Sequence, residues 1–218
     1  IHPDGFFEAV LESAQERFAY VLDFTGYDGH TWTEHDPYAV GILLGQLDLH
    51  LFAEGQHWQL YDKLGAHPLS MDGVDGVHFA IWAPNAERVS VVGDFNDWDP
   101  KRNAMQKHVQ SGVWELFVPG VQLGALYKFA LMAASGEVLP FKADPYARAA
   151  QLRPDTASIV TALAAPRVLP PERATANRRD AAISIYEAHA GSWRRAADGG
   201  FMQWDDLAAQ LPDYVASL

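Results

Sequence analysis

The sequence predicts a mainly β protein centred on a β-sandwich, and three observations carry that prediction. Residues 77–83, 88–92, 113–118 and 126–131 are short runs rich in β-branched and aromatic side chains. In the first run Val77, Phe79 and Ile81 alternate with His78 and Ala80, which is the two-residue period of a strand. Turn-forming pairs flank the runs at Asp72-Gly73, Pro119-Gly120 and Ser135-Gly136. Short strands punctuated in this way indicate two packed antiparallel sheets.

The remaining elements follow in order. Residues 6–11 and 18–24 read as two aromatic-rich strands, Gly26 to His30 as a turn with two permissive glycines, and 31–33 as a third short strand. Asp36-Pro37 then breaks the pattern. Two or three strands cannot bury a core alone, so 1–47 reads as the end of another β-sandwich whose partners lie elsewhere. Ile1 stands where a start methionine would, which fits a chain beginning inside a longer protein. Residues 45–51 alternate apolar and polar and read as a strand, which 52–55 either extends or turns into a short helix; 61–68 reads as a connector. The stretch from Leu163 to about Asp180 holds Pro166, Pro170 and Pro171 ahead of a polar run, the composition of a linker. Residues 183–187 read as a strand and 204–218 as an amphipathic helix, kinked or interrupted at Pro212. A strand followed by a helix is the first unit of a TIM-type barrel, and the other units are expected beyond Leu218. An unpaired barrel strand is expected to expose apolar surface and favour association. The expected division is 1–47, a sandwich over 48–165, a linker over 166–182 and the barrel start over 183–218.

Composition narrows the function. The 218 residues are 49% hydrophobic and 20% charged, an ordinary globular balance. A formal net charge of −12 argues against nucleic acid and against an anionic membrane surface. No apolar run approaches a membrane span, and no signal peptide opens the chain. The absence of cysteine removes disulfides, thiolate catalysis and cysteine-ligated zinc, and fits a reducing compartment, so the cytoplasm is the expected location. The histidines have no metal-ligand spacing, and there is no phosphate-cradling or dinucleotide-binding glycine loop. No metal and no cofactor are expected.

Four stretches carry a resemblance. Trp82-Ala83-Pro84-Asn85-Ala86, Gly93-Asp94-Phe95-Asn96-Asp97-Trp98-Asp99 and Leu126-Tyr127-Lys128-Phe129 resemble the carbohydrate-binding module that precedes the catalytic barrel in α-glucan branching and debranching enzymes. Ile183-Ser184-Ile185-Tyr186-Glu187-Ala188-His189-Ala190-Gly191-Ser192-Trp193-Arg194-Arg195 narrows the resemblance to bacterial glycogen branching enzymes. The resemblance runs from about Asp36 to Leu218 and includes Leu64-Gly65-Ala66-His67, Trp114-Glu115-Leu116-Phe117 and Arg153-Pro154-Asp155-Thr156-Ala157-Ser158. It implies an immunoglobulin-like sandwich, an α-glucan partner such as glycogen or amylose, and a full-length enzyme with a barrel domain of its own. That enzyme would cleave an α-1,4 chain and rejoin it through an α-1,6 bond by a retaining mechanism. The family's nucleophile and acid/base lie on later barrel strands, so no catalytic residue is assigned here and the chain alone is expected to be inactive. Two alternatives stand beside this reading: a non-catalytic glucan-binding protein, and the front of a debranching or trehalose-releasing enzyme.

Within that resemblance the candidate sugar contacts are Trp98, Asn96 and Lys128. The apolar faces of a pyranose stack on an aromatic plane, and Trp98 sits at the mouth of a turn. Its bland alternative is a plug closing the sandwich. Asn96 can bond hydroxyls but is also a usual turn-former. Lys128 alternates with Tyr127 and Phe129 and points outward if they point inward, either to sugar or to water. His189 and Trp193 would line a barrel mouth, or serve as packing residues. Starch-binding relatives of the module carry a second stacking tryptophan just after the Lys128 strand. Here Ser135 to Pro140 holds no aromatic, and the next is Phe141.

Overall fold

The computed structural model describes residues 7–12, 18, 20–163, 165, 168–176 and 178–218. It divides into two units, Ile1–Ala164 and Ala165–Leu218.

The first unit is built on two four-stranded antiparallel sheets. In chain order β1 is Leu22–Thr25, β2 Thr31–Glu34, α1 Gln46–Ala53, β3 Gly65–Met71, β4 Val74–Trp82 and β5 Ala86–Gly93. Next come β6 Gln106–His108, β7 Val113–Pro119, β8 Leu126–Ala133, β9 Ala149–Ala150 and β10 Ser158–Ile159. One sheet has the order β3-β4-β7-β6, the other β5-β8-β10-β9. The β3–β4 hairpin turns at Asp72 and Gly73, both at positive φ, as a tight two-residue loop requires.

Strand alternation decides what lies between the sheets. Val77, Phe79 and Ile81 of β4 and Trp114, Leu116 and Val118 of β7 face Val89 and Val91 of β5 and Tyr127 and Phe129 of β8. Phe79, Val89, Val91 and Phe129 are fully buried. Burial of each such side chain contributes about 1.5–3 kcal/mol, and these rows hold the sandwich closed.

The outer face of the β3-β4-β7-β6 sheet is covered as well. Ala80 and Val113 on that face form a second buried cluster with Leu44 and Leu64, against which Leu49, Phe52, Leu60 and Tyr146 pack. Residues 43–64 therefore lie across the sheet as a strap, and the boundary expected at 47/48 falls inside it. The strand read at 45–51 is a helix, α1: its alternation is real, but tertiary packing of Leu44, Leu49 and Phe52 overrides so weak a local preference. The connector read at 61–68 already contains the start of β3.

At the N-terminus β1 and β2 pair only with each other among the described residues, with Phe24 and Trp32 stacked at 5.3 Å. Residues 7–11 carry no ladder, and β1 begins at Leu22 rather than Phe18; Phe6 and Ala19 lie outside the described residues.

The second unit holds α2, Pro171–Ala176, and α3, Trp204–Ala216. α2 lies within the predicted linker, and α3 runs uninterrupted through Pro212. The strand read at 183–187 has no ladder. A strand exists only through hydrogen bonds to a neighbour, and no described residue supplies one; Ile183 and Ile185 are exposed.

Candidate functional site

The site grows from the end of β5. Gly93 is required there by close approach: a Cβ would stand 2.2 Å from the Leu126 carbonyl oxygen and 2.4 Å from the Phe95 ring. The chain then makes a short 3-10 turn at Asp94–Asn96 and reverses through Asp97 and Trp98, both at φ 57°. Asn103, in the same loop, is at φ 49°. Three non-glycine residues in the left-handed region within one loop represent local strain, on the order of 1–3 kcal/mol each, that the surroundings must enforce.

Asn96 does the enforcing. It is 3% exposed, and its amide is used inside the loop. Oδ1 accepts from the Gly93 amide at 2.9 Å, while Nδ2 donates to the Val91 carbonyl at 3.0 Å and to Asn103 Oδ1 at 2.8 Å. Of the two alternatives for Asn96, these bonds are those of the turn-former rather than of a sugar contact: both amide hydrogens are committed, and the residue lies under the surface. Asp94 Oδ2 accepts from the Leu126 amide at 3.1 Å, and Trp98 N–H donates to the Gly93 carbonyl at 2.9 Å. The result is a half-buried Trp98 mounted on a rigid frame.

After the loop, Asn103 to Met105 pair with the free edge of β5, and on the outer face of the β5-β8-β10-β9 sheet Ser90 Oγ donates to the Pro100 carbonyl at 2.8 Å. Lys128 is on this face, paired with Val92 and opposite in phase to the buried Tyr127 and Phe129. Its Nζ donates to Thr156 Oγ1 at 2.7 Å. Thr156 is exposed, and only the fold brings it beside Lys128. A second residue emerges from register. Phe129 and Lys142 exchange both backbone hydrogen bonds, so Phe141 has the phase of Lys128 on the outer face and is 38% exposed. The register thus brings an aromatic side chain to the face that carries Lys128.

Beneath the site, Tyr127 OH donates to Asp144 Oδ2 at 2.6 Å, and Asp144 N–H donates to Ser158 Oγ at 2.9 Å. Burial pushes the Asp144 carboxyl up from the usual carboxylate range, against the hydrogen bonds it accepts from Tyr127 and the Tyr146 amide. Burial and the neighbouring Asp144 likewise push the Tyr127 phenol up. Neither group is available for chemistry; they brace β8 against β10.

His189 and Trp193 are in the second unit. His189 Nδ1 is 2.9 Å from Ser192 Oγ, and its carbonyl accepts from the Ser192 and Trp193 amides in a turn. Trp193 Nε1 donates to Tyr186 OH at 3.0 Å and meets Tyr214 edge-on at 5.5 Å, with Arg194 over both rings. Among the described residues no cluster of His, Asp or Glu could hold a metal ion.

Residues 63–147 match the family of carbohydrate-binding module 48, the isoamylase N-terminal domain. Over its whole length the chain is 46% identical to the 1,4-alpha-glucan branching enzyme of Agrobacterium fabrum and 48% identical to that of Cereibacter sphaeroides, covering 30% of each. Residues 63–147 thus carry the module, and along its whole length the chain is similar to 1,4-alpha-glucan branching enzymes. It spans about a third of the length of these relatives. Among solved structures, Klebsiella pneumoniae pullulanase complexed with maltotriose is 27% identical, with 45% of this chain and 9% of that chain covered and a TM-score of 0.36. No helix of the described residues is long and apolar enough to cross a membrane.

Proposed function

We propose that this chain is the glucan-handling front of a bacterial 1,4-α-glucan branching enzyme. In that enzyme an α-1,4 glucan is cut and transferred to form an α-1,6 branch by a retaining, glycosidase-type mechanism. The observation that carries the reading is identity of 46% to a branching enzyme over the full length of the chain. The sandwich holds glycogen by stacking a glucosyl ring on Trp98, with Phe141 as second aromatic and the Lys128–Thr156 pair bonding hydroxyls. The N-terminal residues up to β2 form the rear of a further sandwich, and 183–218 opens the catalytic barrel, where His189 and Trp193 reach substrate at its mouth. The chain alone makes no branches. The test has two arms. Branch points are counted after incubating amylose with this chain and with the longer native protein; branching by the chain alone, or none by the native protein, overturns the reading. Retention on glycogen is measured for Trp98→Ala, expected to fall about tenfold, the loss of roughly one stacking contact.

A further inference from the structure

We propose that the cleft between α1 and Trp82 is a second α-glucan contact, on the outer face of the sandwich opposite to Trp98. It rests on the reading of the module as an α-glucan binder, but on different residues. The cleft has a volume of about 180 Å³, room for a single sugar ring rather than a chain segment. Phe52, His57, Leu60, Leu64, Trp82 and Tyr146 line it. It lies over the β3-β4-β7-β6 sheet, because Leu64, Phe52, Leu60 and Tyr146 pack there against Ala80 and Val113. Trp98 lies in the loop that follows β5, a strand of the other sheet, so one glucan strand lying on Trp98 does not reach this cleft along the same face.

Three features favour a sugar as occupant. In a chain of net charge −12, no residue lining the cleft is an acid, a lysine or an arginine, which suits a neutral ligand. Trp82 is 58% exposed, yet its ring is fixed, since Nε1 donates to the Ser111 carbonyl at 2.9 Å. An indole pinned by its N–H with a free face is a stacking platform for the apolar side of a pyranose. Among the described residues, the buried side-chain polar atom without a hydrogen-bond partner is Nδ1 of His57, which lines this cleft and is 8% exposed. With Nε2 2.9 Å from Asp48 Oδ1 and donating to that carboxylate, Nδ1 is left to a partner that can both donate and accept, as a sugar hydroxyl can and a hydrocarbon cannot. Two contacts on opposite faces let one module hold two outer chains of a branched glucan, so that attachment to glycogen exceeds what either contact provides.

The experiment is a titration of the 218-residue chain with maltoheptaose, followed through the tryptophan indole N–H resonances and by calorimetry. Two sites per chain are expected, with the Trp82 indole shifting in the wild type and still shifting in Trp98→Ala. Trp82→Ala should weaken glycogen retention about tenfold, and the double variant should lose it. Shifts confined to Trp98, with one site per chain, overturn the inference and leave the proposed function standing. A shift at Trp82 alone sustains the inference and removes Trp98 as a platform. If no indole shifts, both readings fail. The indole readout on the wild type decides the matter even if Trp82→Ala does not fold.

Discussion

Glu115 is a buried carboxylate on which several elements converge. It sits on β7 with 1% of its surface exposed, and four donors meet it. The Leu43 and Leu44 amides reach Oε2 at 2.9 and 3.1 Å, His78 Nε2 is at 2.7 Å from Oε2, and His108 Nε2 is at 2.5 Å from Oε1. Burial opposes ionisation, but the hydrogen bonds from His78, the Leu43 amide and His108 outweigh it and hold the carboxyl below its ordinary value. The folded state therefore favours the ionised form, and that stabilisation is complete above the ordinary value and is lost as pH falls through the depressed one. Urea unfolding at pH 7 should show Glu115→Ala destabilised by about 3–5 kcal/mol, because two backbone amides and two imidazoles lose their acceptor. The deficit should shrink in acid, and a deficit independent of pH would rule out the ionised carboxylate as the source. Gly93→Ala, by the clash described above, should cost about 2–4 kcal/mol in the same assay.

At the scale of elements, the strap and the Trp98 loop behave differently. The strap is tied down by Glu115 and by its own polar contacts: Asp48 bonds His57 at 2.9 Å and Lys63 at 3.0 Å. Burial raises the Asp48 carboxyl, but His57 and Lys63 lower it by more. Removing the chain up to Leu47 deletes two of the four Glu115 donors together with buried Leu44. The shortened protein should melt several degrees lower, and an unchanged melting temperature would show that the strap does not belong to the sandwich's cooperative unit. In α3, Pro212 occupies the helix interior and leaves a carbonyl one turn earlier without its amide. Pro212→Ala should slow hydrogen exchange in the last two turns of α3, since a helix-interior proline costs about 3 kcal/mol.

For the whole molecule, burial is distributed unequally. Among the described residues, the buried hydrophobic ones belong to the first unit, except for Leu207 on α3. Limited proteolysis should cut first within 165–182 and leave a resistant fragment close to Ile1–Ala164. Early loss of the sandwich instead would mean that the second unit stabilises it.

The sequence by itself determined the sandwich strands, because a buried face at period two cannot be hidden from the residue order: Val77, Phe79 and Ile81 announce their strand before any partner is known. It also determined the loop around Trp98, whose turn chemistry is local. Tertiary structure alone decided the rest. Whether 45–51 is helix or strand depended on the sheet face beneath it. Asn96 went inward because the reversal at Asp97 and Trp98 needs an internal scaffold. Thr156 and Phe141 joined Lys128 because β10 pairs with β8, placing Thr156 just ahead of β10, and because Lys142 pairs with Phe129. Residues 183–187 show the same limit from the other side. Their apolar pattern predicts a strand, but a strand is completed only by the hydrogen bonds of a neighbour, which no pattern within those residues can supply.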